Sequence, residues 1–145
     1  MYKKDKFRNL DKKYNSHLYT GLLGILMNYC HRKLENFNKK DGYDKILEIG
    51  AGSAPHIKYL SHNYNEYHIV DTSDYAKEIY KNEKNSKIIF KKYNGVNLPY
   101  DNEYFDRIII SHTLEHILSP EEFIFEMMNK LKKGGVLSIA LPTDP

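Results

Sequence analysis

The stretch at residues 46–55, with the sequence ILEIGAGSAP, constrains the fold more than any other part of the chain. An apolar run ends there in two glycines and a helical pattern follows, which predicts a buried strand, a tight turn and a helix start. Gly50 and Gly52 let the backbone pass close to a ligand, and we expect the amides of the first helical turn to face it as unpaired donors. The stretch therefore predicts a ligand site, although two glycines alone could also serve only the turn.

Composition places the chain among single globular domains. Its 145 residues are 41% hydrophobic and 28% charged, which is enough for one core. The net charge of +3 describes a mixed surface and favours neither nucleic acid nor a membrane as partner. Cys30 is the only cysteine, which excludes an intramolecular disulfide and favours a reducing, cytoplasmic location. No segment reaches the roughly 18–20 apolar residues that span a bilayer.

The rest of the pattern alternates strands and helices. Strands are predicted at 45–49, 67–71, 86–92, 107–111 and 136–141, and helices at 16–36, 55–63, 75–82 and 120–132. Ser119 is placed to cap the last helix, and Gly134 and Gly135 to end it. Right-handed crossovers then give a parallel sheet, so we predict an α/β, Rossmann-like fold with strand order 3-2-1-4-5 and helices on both faces. Residues 1–40 would form an arm and an amphipathic, lid-like helix, and residues 41–145 the ligand-binding core.

Three residues narrow the chemistry of the ligand. A dinucleotide-binding turn has a third glycine where this chain has Pro55. Glu48 lies two residues before Gly50, where its carboxylate would repel a pyrophosphate and attract an ammonium group, directly or through water. Asp71 closes the second strand, where a carboxylate can accept both hydroxyl protons of a ribose, although such a residue taken alone is more often a helix-capping or turn residue. Together they predict a ligand with a ribose and a cationic end.

Five motifs in this order resemble the class I S-adenosylmethionine-dependent methyltransferases, and among these the small-molecule type. The motifs are EIGAG at 48–52, HIVD at 68–71, NGVNLPY at 94–100, FDRIIISHTLEH at 105–116 and LKKGGVL at 131–137. The resemblance implies S-adenosylmethionine as cofactor and S-adenosylhomocysteine as product. It also implies the cofactor-binding residues, which are Glu48, Gly50, Ala51, Gly52, Asp71, Thr72, Asn94, Gly95 and Ser111.

The adenine loop departs from the family pattern at two positions. Asn94 stands where the family usually has an aspartate, and its amide oxygen can still accept a hydrogen bond from the exocyclic amine, without charge assistance. Gly95 replaces a small apolar residue, so we expect looser packing on the adenine. The alternative is that Asn94 is a plain turn residue.

The segment His112-Thr113-Leu114-Glu115-His116 fits two interpretations. It matches the H-x-x-E-H pattern of one class of zinc peptidases, but it follows a buried strand as a short turn, and we predict no metal site there. In the methyltransferase interpretation, His112 or His116 is a catalytic base that deprotonates the acceptor, with His112 nearer the methyl group. The alternatives are that His112 is only a pocket wall and that His116 caps or packs under the turn.

The resemblance implies transfer of a methyl group to an oxygen or nitrogen atom of a small-molecule or glycan acceptor, and no basic aromatic patch favours nucleic acid. The rival hypotheses are a non-catalytic nucleoside- or S-adenosylmethionine-binding module and, less favoured, an NAD-dependent oxidoreductase. The family's sixth and seventh strands would lie beyond residue 145. We therefore expect either a truncated chain, with activity not assured on its own, or a homodimer that covers the edge of the fifth strand.

Overall fold

The computed structural model describes residues 21–37, 41–53 and 55–141. The helices are α1 (Gly21–Leu34), α2 (Asp74–Tyr80) and α3 (Pro120–Lys130). The strands are β1 (Tyr43–Ile49), β2 (Tyr64–Asp71), β3 (Ile88–Lys92), β4 (Phe105–Ser111) and β5 (Leu131–Ala140). Short 3-10 turns span Glu35–Phe37, His56–Tyr59 and Leu114–His116. No helix in these ranges is long and apolar enough to cross a membrane.

The strands form one parallel sheet in the order β3-β2-β1-β4-β5, which confirms the predicted topology and fold class. β1 lies at the centre, paired with β2 on one side and β4 on the other. The chain therefore leaves β1 and β4 in opposite directions along the sheet. Such a switch point opens a crevice at the carboxyl ends of the two strands.

Apolar side chains alternate between the two faces of the sheet and build a core on each. On one face Leu47 and Ile108 pack with Phe123 and Met127 of α3. On the other face lies a second core cluster, which contains Ile46, Ile69 and Ile109 of the strands and Ala76 and Tyr80 of α2. Buried on both faces, β1 and β4 are near-continuous apolar runs, as parallel strands require.

The predicted helix at 55–63 is wrong. The structure has a 3-10 turn over His56–Tyr59 instead, because two carboxylates capture amides that a longer helix would use. The His56 amide donates to both carboxylate oxygens of Glu48, at 2.8 and 3.0 Å, and the Ser61 amide donates to Oε2 of Glu35 at 3.0 Å. The expected row of free amides facing a ligand is therefore not formed by this segment.

The carboxyl-terminal boundary is also corrected. α3 ends at Lys130 rather than at the predicted Lys132, because Leu131, whose side chain is buried, already pairs in β5 opposite Phe105. The pairing is irregular after that point and becomes regular where Val136 faces Arg107, so the two glycines lie in a bulge within β5. Ser119 occupies the cap position of α3, but its side chain makes no capping hydrogen bond.

Candidate functional site

A cavity of about 1420 Å³ opens at the carboxyl ends of β1, β2 and β4. α1 forms one wall, the loop after β3 forms another, and the 3-10 turn after β4 with the start of α3 closes the far side. Most predicted site residues line it, namely Gly50, Ala51, Gly52, Asp71, Thr72, Gly95, Ser111, His112 and His116. Glu48 and Asn94 are not part of the lining. Tyr14, His17 and Tyr19 precede or begin the predicted amino-terminal helix, where they could contact the cofactor's carboxylate or the acceptor, and they lie outside the described residues.

The floor of the cavity is the contact between the glycine turn and the loop after β4. Gly50 has φ +72°, and its amide donates to the Val70 carbonyl at 2.9 Å. A Cβ atom at Gly50 would lie 2.4 Å from Oγ1 of Thr113. That hydroxyl donates to the carbonyls of Ile49, at 3.1 Å, and Ser111, at 3.2 Å. Both a left-handed backbone and a close approach therefore require glycine at position 50.

Asp71 ties the glycine turn to the end of β2. Its Oδ2 accepts a hydrogen bond from the Gly52 amide at 2.9 Å, and its Oδ1 accepts one from the Ser73 amide at 2.8 Å. The side chain is buried at the cavity wall. A carboxylate has about four acceptor positions, so two remain for ligand hydroxyls. Asp71 is thus a turn-stabilising residue whose free lone pairs still suit a ribose.

Glu48 was expected to face the ligand and attract its ammonium group, but its side chain is buried away from the cavity. Its side chain is 1% exposed, and it accepts hydrogen bonds from the His56 amide and, at 2.7 Å, from the Tyr67 hydroxyl. Burial raises the pKa of Glu48 to about 7, partly opposed by these two hydrogen bonds. In this structure the carboxylate holds the chain after the glycine turn rather than facing the cavity.

We expect Glu48 to make stability fall with increasing pH. An acid with a raised folded-state pKa favours folding below its ordinary value of 4.5, and this contribution disappears as the pH rises through about 7. The unfolding free energy of the wild type should therefore decline relative to that of Glu48→Gln between about pH 5 and pH 8. Urea unfolding across that range measures the difference, with the exposed Glu78→Gln as control. Parallel curves for wild type and Glu48→Gln would contradict the assignment.

The amide oxygen of Asn94 is bound within its own loop. Oδ1 accepts hydrogen bonds from the amides of Val96, at 2.9 Å, and Asn97, at 3.0 Å. The side chain thereby closes its own loop, as Asn commonly does in turns. These contacts agree with the alternative that Asn94 is a turn residue. Gly95 and Asn97 of the same loop line the cavity.

His112 combines an unusual backbone with a buried, unpaired ring nitrogen. Its φ is +52°, a left-handed value rare outside glycine, and its amide donates to the Ala140 carbonyl of β5 at 3.0 Å. Its Nε2 and the neighbouring Ser111 Oγ are buried without a hydrogen-bond partner among the described residues. Burial lowers the pKa of His112, partly opposed by Glu115, so the imidazole stays neutral near pH 7.

The second histidine of the motif has a different setting. His116 ends the 3-10 turn at Leu114–His116, and it lines the cavity while remaining exposed. The two histidines thus do not lie one turn apart on an α-helix, the arrangement that metal-binding pairs of this spacing use. Within the described ranges, no group of three or more His, Cys, Asp or Glu side chains is placed to hold a metal ion.

Several further lining residues were not predicted from the sequence. Met27, Tyr29 and Cys30 of α1 line the cavity. Three glutamates also line it, which are Glu115, Glu122 and Glu126. Glu115 lies in the turn before α3, and Glu122 and Glu126 lie on α3. Acidic residues at such positions commonly belong to a solvated face, so nothing local in the sequence marked them.

The family model described as "Methyltransferase domain" matches residues 47–139. An uncharacterized protein from Methanocaldococcus jannaschii is 32% identical over 97 residues, which cover 66% of this chain and 43% of that protein. The chain thus spans less than half the length of this curated relative.

Solved structures with the same fold are more distant in sequence. One is the complex between the Haloferax volcanii Trm112 methyltransferase activator and a protein described as a methyltransferase, at TM-score 0.72, 18% identity, and coverage of 94% of this chain and 57% of that chain. Another is phosphoethanolamine N-methyltransferase 1 of Haemonchus contortus with phosphoethanolamine and S-adenosylhomocysteine, at TM-score 0.70, 19% identity, and coverage of 92% and 31%.

The matched residues run from β1 to β5 and so include the glycine turn, Asp71 and the loop after β4 that together form the cavity. The chain therefore belongs to the methyltransferase domain family, with the fold of the class I methyltransferases that use S-adenosylmethionine as cofactor.

Proposed function

We propose that this chain transfers a methyl group from S-adenosylmethionine to an oxygen or nitrogen atom of a small-molecule or glycan acceptor. The observation that carries the proposal is the convergence of the glycine turn, Asp71 and His112 on one cavity at the switch point of the sheet. The residues fit the cofactor, because a polar wall with free acceptor positions on Asp71 faces the same space as two unpaired polar atoms of Ser111 and His112.

The charges of the cavity support an acceptor without anionic groups. The described lining residues include four carboxylates and neither lysine nor arginine, in a chain whose net charge is +3. Burial and the nearby carboxylates of Asp71 and Glu126 raise the pKa of Tyr93. The negative electrostatic potential of these carboxylates therefore extends across the cavity. A phosphate-rich acceptor such as nucleic acid would be repelled, whereas a neutral or amine-bearing molecule would not. The rate of S-adenosylhomocysteine formation, measured with neutral, amine-bearing and phosphorylated acceptors, tests this preference. Faster reaction with the phosphorylated acceptors would contradict it.

His112 would act as the base. Bound S-adenosylmethionine supplies an electrophilic methyl group, and transfer is an in-line displacement governed by positioning. The neutral Nε2 of His112 accepts the proton that the acceptor oxygen or nitrogen loses, while the loop contacts of its backbone fix the ring. Ser111 Oγ, also unpaired, can donate to a bound ligand beside it.

We expect His112→Gln to lower kcat by about 100-fold or more, in the range for loss of a general base, with cofactor affinity within about twofold of wild type. The wild-type rate should fall only below the lowered pKa of His112, since only the neutral imidazole accepts a proton. Initial rates against pH and calorimetry with S-adenosylhomocysteine measure both effects. His116→Gln tests the other candidate base of the motif in the same assays. Equal rates for His112→Gln and wild type would remove His112 as the base.

A protein partner at the edge of β5 belongs to the same proposal. Among the described strands β5 pairs with β4 alone, so it lies at the edge of the described sheet, where another chain could pair with it. A second copy of the chain is our first candidate for covering it, and the Haloferax volcanii complex makes a distinct activator protein the second. Sedimentation of the purified chain separates the two, because a stable monomer contradicts the homodimer.

A further inference from the structure

The described part of α1 is joined to the domain by polar contacts around its carboxyl end. The side chains of Ile25, Leu26 and Tyr29 are at least 56% exposed, whereas Met27 is buried and Leu34 packs against a core cluster. The three exposed side chains add little apolar burial to the docking of α1. The helix nevertheless forms a wall of the cavity. The contacts that hold α1 in place therefore determine whether the cavity has this wall.

Glu35, directly after α1, is the centre of those polar contacts. Its Oε1 accepts hydrogen bonds from His56 Nε2 and from an Arg107 guanidinium nitrogen, both at 2.7 Å. Its Oε2 accepts from the amide and hydroxyl of Ser61, at 3.0 and 3.2 Å. Burial alone would raise the pKa of Glu35, but these donors hold it well below its usual range.

Arg107 connects the end of α1 to the sheet. It lies on β4 with its side chain fully buried, and a second guanidinium nitrogen donates to the Leu34 carbonyl at 3.1 Å. Its Nε donates to Ser138 Oγ of β5 at 3.1 Å. Because charge-assisted hydrogen bonds are stronger than neutral ones, this arginine fixes the last turn of α1 against two strands.

His56 connects the same carboxylate to the chain after the glycine turn. Its ring also lies 2.8 Å from His31 of α1, measured between the two Nδ1 atoms, and its backbone amide donates to Glu48 of β1. Burial lowers the pKa of His31 to about 3, with His56 adding to the shift, so this contact joins neutral rings. Glu35 and His56 thus link α1 to the glycine turn.

We propose that Glu35 is a positioning residue that holds α1 over the cofactor cavity through Arg107 and His56, and so sets cofactor affinity. This inference rests on the proposed function for the identity of the ligand, but the position of α1 can be tested without any ligand. Cys30 is the only thiol of the chain, it lies on α1 and it lines the cavity. Its rate of reaction with a maleimide therefore reports the release of α1.

The experiment compares Glu35→Gln with wild type and with Glu78→Gln, which removes an exposed carboxylate of α2. We expect labelling of Cys30 to be about tenfold faster or more in Glu35→Gln and unchanged in Glu78→Gln, with cooperative unfolding retained in both. The KM for S-adenosylmethionine should rise by a similar factor while kcat at saturation stays near wild type. Wild-type labelling and KM in a folded Glu35→Gln would overturn the proposal.

A double variant separates positioning from the cost of an unpaired buried charge. Glu35→Gln with Arg107→Met removes both charges, so stability should largely return while Cys30 labelling stays fast. Slow labelling in the double variant would show that the unpaired arginine, and not the lost contact, released α1, and would overturn the proposal. If S-adenosylhomocysteine fails to slow labelling of the wild type, the proposed function fails while the role of Glu35 in holding α1 stands.

Discussion

Gly50→Ala should abolish high-affinity cofactor binding and destabilise the fold. The new Cβ would lie 2.4 and 2.7 Å from two side-chain atoms of Thr113, at a backbone φ of +72°. A left-handed alanine costs about 1–2 kcal/mol and overpacking costs about 1–3 kcal/mol more. Relief of the clash moves either the glycine turn or the loop that carries His112, and a shift of that kind costs about 100-fold in function.

Gly134→Ala is the matched control for Gly50→Ala. Gly134 has the same φ of +72°, but a Cβ there meets nothing within 4 Å. Gly134→Ala should therefore lower the free energy of unfolding only by the cost of a left-handed alanine, about 1–2 kcal/mol, and should keep cofactor affinity. Adding Thr113→Ala to Gly50→Ala removes the two nearest atoms and should recover part of the stability. Thermal unfolding and calorimetry measure both quantities, and equal losses at the two glycines would contradict the account of the turn.

Arg107→Ala is expected to cause the largest loss of stability. The guanidinium is fully buried, and its removal leaves the Glu35 carboxylate and the Leu34 carbonyl without their strongest donor. Breaking one side of a buried pair costs about 3–5 kcal/mol, because the remaining charge is left unpaired away from water. Urea unfolding with a shared slope gives the difference directly.

The partly exposed pair between Lys132 and Asp106, 3.0 Å apart, provides the comparison. Lys132→Ala should cost no more than about 1 kcal/mol, since exposed ion pairs contribute little. We call Glu35 and the residues that bind its carboxylate, His56, Ser61 and Arg107, the Glu35 cluster. If Arg107→Ala costs as little as Lys132→Ala, the Glu35 cluster does not hold α1 and the inference drawn from it fails. A loss several times larger agrees with a buried, structurally essential arginine.

Strand order and the place of the cavity were predictable because they depend on repeated local patterns. The apolar runs of β1 and β4, the turn glycines and the alternation with helices together specify a parallel sheet and its switch point. Gly50 was predictable for the same reason, since a turn at that point needs a positive φ. The partner that makes glycine essential, Thr113, was not, because it lies far along the chain.

Polar side chains were harder to place, since a carboxylate or amide binds whichever donor the fold brings near. Glu48 was expected to face the ligand but instead binds the His56 amide, and Asn94 closes its own loop. The Glu35 cluster joins residues separated by up to 72 positions, so no spacing rule could reveal it. Arg107, at a buried position of a mostly apolar strand, was a local sign that a buried partner was required.

The most direct test of the central claim is calorimetric titration of the purified chain with S-adenosylhomocysteine and, separately, with NAD. The glycine turn, the free acceptor positions on Asp71 and the carboxylate-lined cavity predict saturable binding of S-adenosylhomocysteine, lost in Gly50→Ala and kept in Gly134→Ala. NAD should show no binding, because its pyrophosphate would face carboxylates and no lysine or arginine among the described lining residues. Binding of NAD without binding of S-adenosylhomocysteine would contradict the assignment of this cavity to a methyl donor.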